Sequence, residues 1–310
     1  MKTKVWIALL ALYIVWGSTY LAIRFAVETL PPFFHAGMRF LVSGIILLVW
    51  RRMAGDPVPT KSQWRSTAIV GVTLLLGGNG LVAWAEQRVP SGIAALMVGM
   101  SPLWLVLFEA LRRGGAKPNW QGIIGLLIGF GGVFLLIGPE NFNGSSATQF
   151  DTLGTIALLM ASLLWSMGSI FSKTTDMPKS SLLATGMEMV AGSAALFIVS
   201  AVSGELHGFN LASVSIRSWS GLAYLITFGS LVGFVSYGWL LQNAPISLVS
   251  TYAYVNPVVA VFLGSWLADE TITPRILVAA GIIIGSVIVI NSGRRLKSNE
   301  EPDQVPLEEI

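Results

Sequence analysis

Two charged side chains stand in stretches that are otherwise apolar: Arg39 in the run Phe33–Trp50 and Glu188 in the run Ser180–Ser203. A lone Arg at the centre of a helix in lipid costs about 2.5–3.5 kcal/mol on insertion scales, so each charge needs a partner, a wet cavity or a route to water. Their chemistry is ion pairing, or recognition of an opposite charge. Counted by helical rise, Arg39 lies about 10 Å past Pro32 and Glu188 about 13 Å past Lys179. If the two runs enter from opposite sides, the gap is about 7 Å in a ~30 Å layer, so a direct pair or contact through one polar neighbour is expected. The alternatives are snorkelling for Arg39 and an independent cavity or coupling role for Glu188.

Amide, hydroxyl and ring groups form a second set. Tyr252 and Asn256 are four apart, and a helix presents them on one face. A buried amide without a partner is costly, so this face borders a cavity or ties two helices together. Trp16, Ser18 and Tyr20, with Trp165 and Ser169, lie in the middle of their runs, lining a cavity or packing. Asn79, Trp84, Glu86 and Gln87 follow one run to its outer end, where polar groups are ordinarily just solvated. Gln87 and Gln242, the latter just after Trp239, stand at run ends as gates or as solvated termini. Pro102 and Pro257 lie inside apolar runs. Proline removes one backbone donor and clashes with the carbonyl four residues back, so each predicts a kink. The freed carbonyl borders a wet path, or the kink only shapes packing.

Other chemistries lack their residues. Cysteine is absent, and histidine occurs only as His35 and His207, so no disulfide, no metal and no other cofactor is expected. G-x-x-x-x-G-K-[ST], H-E-x-x-H and G-x-S-x-G are missing, which argues against P-loop ATP hydrolysis and against a membrane enzyme. A net charge of +3 is too small to suggest nucleic acid as a partner.

The elements that carry these residues are built for hydrocarbon. Charged residues make up 11% of the chain, against about 25% in a soluble domain. The mean hydropathy is +0.71. A helix needs about 20 apolar residues to cross a bilayer. Besides the two runs above, charge-free runs cover Val5–Ile23, Ser66–Ala85, Val89–Phe108, Pro118–Pro139, Thr152–Ser172, Ser218–Ala268 and Ile276–Gly293. The run Ser218–Ala268 suffices for two spans and divides at Gln242-Asn243-Ala244-Pro245. The prediction is an all-α integral membrane protein with ten transmembrane helices. Residues 294–310 read as a solvated polar tail without packed structure. With the N-terminus in the cytoplasm, fourteen of the 19 Lys and Arg fall in inner segments, which places both termini inside.

The two halves repeat. An offset of 149 pairs Trp16 with Trp165, Arg24 with Lys173, and Gly37-Met38-Arg39 with Gly186-Met187-Glu188. An offset of 155 pairs Trp84 with Trp239, Gln87 with Gln242, Pro90 with Pro245 and Pro102 with Pro257. At 156, Pro118 meets Pro274, Gly125 meets Gly281 and Gly129 meets Gly285. Residues 1–139 hold spans 1–5, 140–152 a linker and 153–293 spans 6–10. Five is odd, so the halves are inverted, an architecture associated with alternating access around a midplane site. The glycines of spans 5 and 10 predict close helix packing, within the chain or in a homodimer.

The segments Ala11–Tyr20 (ALYIVWGSTY), Val89–Ala95 (VPSGIAA) and Tyr252–Ala260 (YAYVNPVVA) resemble the EamA family of the drug/metabolite transporter superfamily. The resemblance runs from the first span to the tenth. It implies a multi-pass carrier of the bacterial inner membrane, surrounded by lipid, whose small-molecule substrate is an amino acid, another metabolite or a drug. It also implies a cavity lined by spans 1, 3, 4, 6, 8 and 9, with spans 5 and 10 as outer scaffold. The function expected is non-ATP export of amino acids or related small metabolites. A multidrug exporter and a channel-like facilitator are the alternatives. Small multidrug relatives carry a carboxylate in the first helix of their repeat; spans 1 and 6 here have none, which speaks against proton-coupled cation export of that kind.

Reporter fusions test the topology. Fusions after Arg52, Glu140 and Lys179 should read inside, outside and inside; matching signals at Arg52 and Glu140 would remove the inverted repeat.

Overall fold

A computed structural model describes residues 2–111, 119–138, 151–244, 246–249 and 251–300. No strand occurs among them. The main helices are α1 Lys2–Ala26, α2 Pro32–Met53, α3 Lys61–Ala85, α4 Ser91–Leu111, α5 Trp120–Ile137, α6 Thr152–Ser172, α7 Ser181–Val202, α8 Ile216–Leu240, α9 Tyr252–Leu267 and α10 Pro274–Glu300. The eight helices α1–α8 are long and apolar enough to cross a bilayer; α9 and the apolar part of α10, Pro274–Ile290, are shorter.

Local sequence sets the helix starts. Thr60 and Gln63 form a reciprocal cap before α3. Side chains of Asn119, Asp151, Ser180 and Ser215 each accept a backbone N–H in the first turn of α5, α6, α7 and α8. Proline opens α2 and α10, where its missing N–H has no intrahelical partner to lose. α3 and α8 are not uniform: wide π-type turns occupy Val72–Gly80 in one and Leu225–Val232 in the other. α4 breaks at Gly99–Met100 and restarts at Ser101. Pro102, expected as a mid-helix kink, is therefore the second residue of a new segment. Pro257 does lie inside its helix.

α2 packs lengthwise on α7, α5 on α10, α1 on α9, and α3 against α6 and α7. Glycine permits the closest approaches. A Cβ at Gly71 would lie 2.3 Å from the Glu188 carbonyl oxygen, and one at Gly192 would lie 2.8 Å from the carbonyl oxygen of Gly71. The expected glycine ridge of span 5 is used against α10: Gly125 faces Ile290 and Gly132 faces Ile282. Its counterparts Gly281 and Gly285 meet nothing within 4 Å. Ile7, Leu10, Ile14, Leu127 and Phe134 stand exposed on the outer helix faces, the state that lipid favours.

The tail departs from expectation. The backbone stays helical from 294 through Glu300, because Arg, Leu, Lys and Glu carry good helix propensity beyond the apolar stretch. Residues 301–310 and the linker residues 140–150 lie outside the described residues, as do the side chains of 291–300.

The Gly71 contact gives a stability test. Gly71→Ala should destabilise the protein by about 1–3 kcal/mol, the range for overpacking, because the obstacle is backbone. Gly131→Ala, with open space around it, should be neutral. Thermal unfolding in detergent measures both.

Candidate functional site

A cavity of about 460 Å³ runs through the middle of the helices. It reaches the surface between the end of α6 and the start of α7, where the exposed Lys173 and neighbouring Ser172 and Ser181 form its mouth. At the opposite side it stops against Tyr20, Ile23 and Val82. Behind them a packed block of Ala26, Ala85, Val89, Ile93 and Leu225 closes the way.

Two tryptophans seat themselves on glycines of the other half. A Cβ at Gly233 would lie 2.3 Å from Trp16 Nε1, and one at Gly78 would lie 2.9 Å from the Trp165 ring. Trp16 Nε1 donates to the Gly229 carbonyl at 3.2 Å. Its ring meets Phe234 at 5.4 Å, Tyr237 at 5.3 Å and Tyr252 at 5.1 Å, and these four side chains make an aromatic wall. Offset aromatic contacts of this kind add about 0.5–1.5 kcal/mol beyond burial and hold the wall rigid.

Both intramembrane charges face the cavity. The expected Arg39–Glu188 pair is absent: no hydrogen bond or ion pair joins them. Arg39, 4% exposed, donates its Nε to Ser230 Oγ on α8 at 2.9 Å. α2 and α7 do run side by side, but their register sets Gly44 against Met189 and Gly37 against Phe197. Arg39 thus lies about 9–10 Å along the helix from the level of Glu188. The two side chains serve different parts of one cavity.

Asn256 also lines the cavity, and its Oδ1 is buried without a hydrogen-bond partner. One turn before Pro257, the Ala253 carbonyl loses its helical donor to the proline, and Ala253 borders the cavity as well. Pro102 lines it too, and Pro257 Cγ packs where a Gly99 Cβ would be, 3.0 Å away. Asn79, Tyr20, Trp165 and Ser169 complete the expected residues that reach the cavity.

Others do not. Ser18 Oγ meets Tyr224 Oη at 2.6 Å. Trp84 and Gln87 border a separate shallow depression on the sealed side, where Arg88 stacks over Trp84 at 4.7 Å. Trp239 packs in a cluster with Leu9 and Leu12. The side chain of Gln242 lies outside the described residues. Sequence reasoning missed Phe234 and Tyr237, although the offset that pairs Trp84 with Trp239 also pairs Asn79 with Phe234.

The sealed side is stitched between halves by carboxylates. Glu270, after α9, accepts the backbone N–H of Ser91 at 2.7 Å and of Gly92 at 3.1 Å, at the start of α4. Glu205, after α7, accepts from Phe33 at 3.3 Å and Phe34 at 2.8 Å, at the start of α2. Arg217 pairs with Glu28 at 3.1 Å and Arg88 with Asp151 at 3.3 Å. On the open side Asp56, after α2, is gripped by Arg51 at 2.8 and 2.9 Å and bonded by Ser180 before α7. The Arg51 bond, then Ser180, holds its carboxyl down to about 2.

A multi-helix membrane body with a polar cavity open at one face is the build of a solute carrier, and the sequence comparisons agree. The chain belongs to the EamA-like transporter family, which it matches over residues 3–138 and again over 152–292. It is 38% identical over 290 residues to the uncharacterized inner membrane transporter YedA of Escherichia coli (strain K12), covering 93% of this chain and 91% of that one. The uncharacterized transporter YvbV of Bacillus subtilis is 24% identical over 299 residues, 94% of this chain and 92% of its own. A crystal structure of a protein with 19% identity superposes with a TM-score of 0.62 over 94% of this chain and 99% of that chain, a likeness of fold. The chain is a multi-pass membrane transporter.

The two prolines should respond differently. Pro257→Ala restores a donor to the Ala253 carbonyl and straightens α9, so transport should fall severalfold while the protein still reaches the membrane. Pro102→Ala alters a first-turn position whose N–H lacks an intrahelical partner anyway, and transport should stay near wild type. Equal losses in both variants would contradict this difference; substrate counterflow and immunodetection are the measurements.

Proposed function

We propose that the chain is a secondary transporter of ten spans in two inverted repeats, with both termini cytoplasmic, which exports amino acids or related small metabolites by alternating access. The observation that carries the substrate class is the pair of opposite charges, Arg39 and Glu188, which face one cavity without engaging each other. A zwitterion offers a carboxylate to the first and an ammonium to the second. The aromatic wall of the same cavity suits an apolar side chain or the face of a cation, and the free Asn256 Oδ1 accepts one N–H. A purely lipophilic cation would leave Arg39 uncompensated, which favours the metabolite over the drug.

Alternating access draws support from the matched features of the halves. Trp16 on Gly233 and Trp165 on Gly78 keep the same offsets as the sequence repeat. So do Glu205 at the start of α2 and Asp56 at the start of α7, and each half carries one π-type stretch, in α3 and in α8. With the basic segments inside, the open mouth at Lys173 faces the cytoplasm and the seal faces out. This is the conformation in which an exporter loads.

Counterflow into proteoliposomes tests the reading. Neutral amino acids should exchange saturably. Arg39→Gln or Glu188→Gln should each weaken apparent affinity roughly 10- to 100-fold, the loss of one charge-assisted bond of about 1.5–3 kcal/mol. Exchange of lipophilic cations instead of amino acids would favour the multidrug alternative. Flux that does not saturate would favour the channel-like facilitator.

A further inference from the structure

One buried acid has no part in the cavity. Glu86 directly follows the last residue of α3, beyond the span, inside the seal. It is 0% exposed, and neither carboxyl oxygen has a hydrogen-bond partner. An ionised carboxylate in such a place costs far more than a neutral one, because nothing replaces the water it lost.

The charged groups around it are hydrogen-bonded elsewhere. From α1 come Tyr20 and, one turn on, Arg24, whose Nη1 donates to the Glu86 backbone carbonyl rather than to the carboxyl. From α2 comes Arg39, with its Nε on Ser230. From the segment before α10 comes Glu270, whose oxygens hold the amides of Ser91 and Gly92. From its own turn Arg88 reaches out to Asp151 at the start of α6. No guanidinium is aimed at the carboxyl. Burial first, and the Glu270 charge second, hold it well above the ordinary carboxylate range, against the smaller opposing pull of Arg24 and Arg39.

We propose that Glu86 is the proton-binding site of the outer gate, which closes only when this carboxyl carries a proton and gives that proton up when it opens. The step balances: on closing, the Glu86 carboxylate takes a proton from hydronium in the outer solution and leaves water; on opening, the O–H bond breaks and the proton returns to water. The inference rests on the alternating-access reading. The sign follows from the raised affinity for protons in the closed state. Closure is favoured most below the ordinary carboxylate range and weakens as outside pH rises through the closed-state value. One proton limits the effect to about tenfold in the closed-to-open ratio per pH unit.

The chain has no cysteine, so an introduced thiol is unique. Ile23→Cys puts one at the closed end of the cavity, separated from the outer solution by the seal, at a side chain 3% exposed. Ala212→Cys puts another in the exposed segment between α7 and α8, where it reports thiol reactivity alone. Right-side-out vesicles are treated from outside with a membrane-impermeant maleimide as external pH is raised from mildly acidic to mildly basic. Labelling at Ile23→Cys relative to Ala212→Cys should climb, by up to tenfold per unit. Glu86→Gln, neutral at every pH, should hold the ratio low and flat, and Glu86→Asp should keep a slope. A flat ratio with Glu86 in place overturns the proposal, as does a slope that survives Glu86→Gln. If Glu86→Gln fails to reach the membrane, the native residue and Glu86→Asp still decide: a flat ratio in both overturns the assignment. Ile23→Cys that labels at no pH removes the moving gate, and alternating access with it. Labelling that ignores pH removes only the role given to Glu86.

Discussion

Glu270 grips two backbone amides at the start of α4, and much of the molecule is arranged around that contact. A helix begins with N–H groups that have no partner of their own, and hydrocarbon offers none. A carboxylate there satisfies them and also suits the positive end of the helix dipole. Here the carboxylates that cap α2 and α4 belong to the other half of the chain. Satisfying the backbone and joining the halves become the same act. Gly264 makes room for it, since a Cβ there would lie 2.4 Å from Glu270 Oε2. On the opposite face the corresponding tie is Asp56 to Ser180, and the cavity opens beside it.

The cavity follows a second rule, that polar groups kept from lipid must either pair or meet water. Arg39 meets the rule with Ser230 and with its place on the cavity edge. Glu188 meets it by facing the cavity while its backbone touches Gly71. Because α2 and α7 are fixed by small residues at Gly37, Gly44 and Gly186, the charges cannot slide into register. Their separation leaves both available to a guest.

Much of the scaffold was legible in the sequence, because span length and charge distribution are one-dimensional properties. Trp16 and Trp165, well inside their spans, do reach the cavity, as do Tyr252, Asn256 and Pro257 in the first turns of α9. Facing direction was less legible. Ser18 lies two residues from Trp16 and turns away, while Trp84 sits at the closed end among outer groups. The Arg39–Glu188 pair failed because depth counted from the ends of two runs does not fix the register in which the helices pack. Pro102 misled because the break at Gly99 precedes it, and a residue at the start of a segment does not kink it. Glu86 reads as an ordinary polar residue at a helix end until the packing around it is known.

The π-type turns of α3 and α8 carry a geometric consequence. A π-turn holds about one residue more than an α-turn for similar length. Were either stretch to relax into α-turns, everything beyond it would swivel by about 100° about the helix axis. Trp165 rests on Gly78 and Trp16 on Gly233, each glycine in or beside such a stretch. Two helices can therefore change the residues they present to the interior by screw motion, with neither bending nor leaving its neighbours.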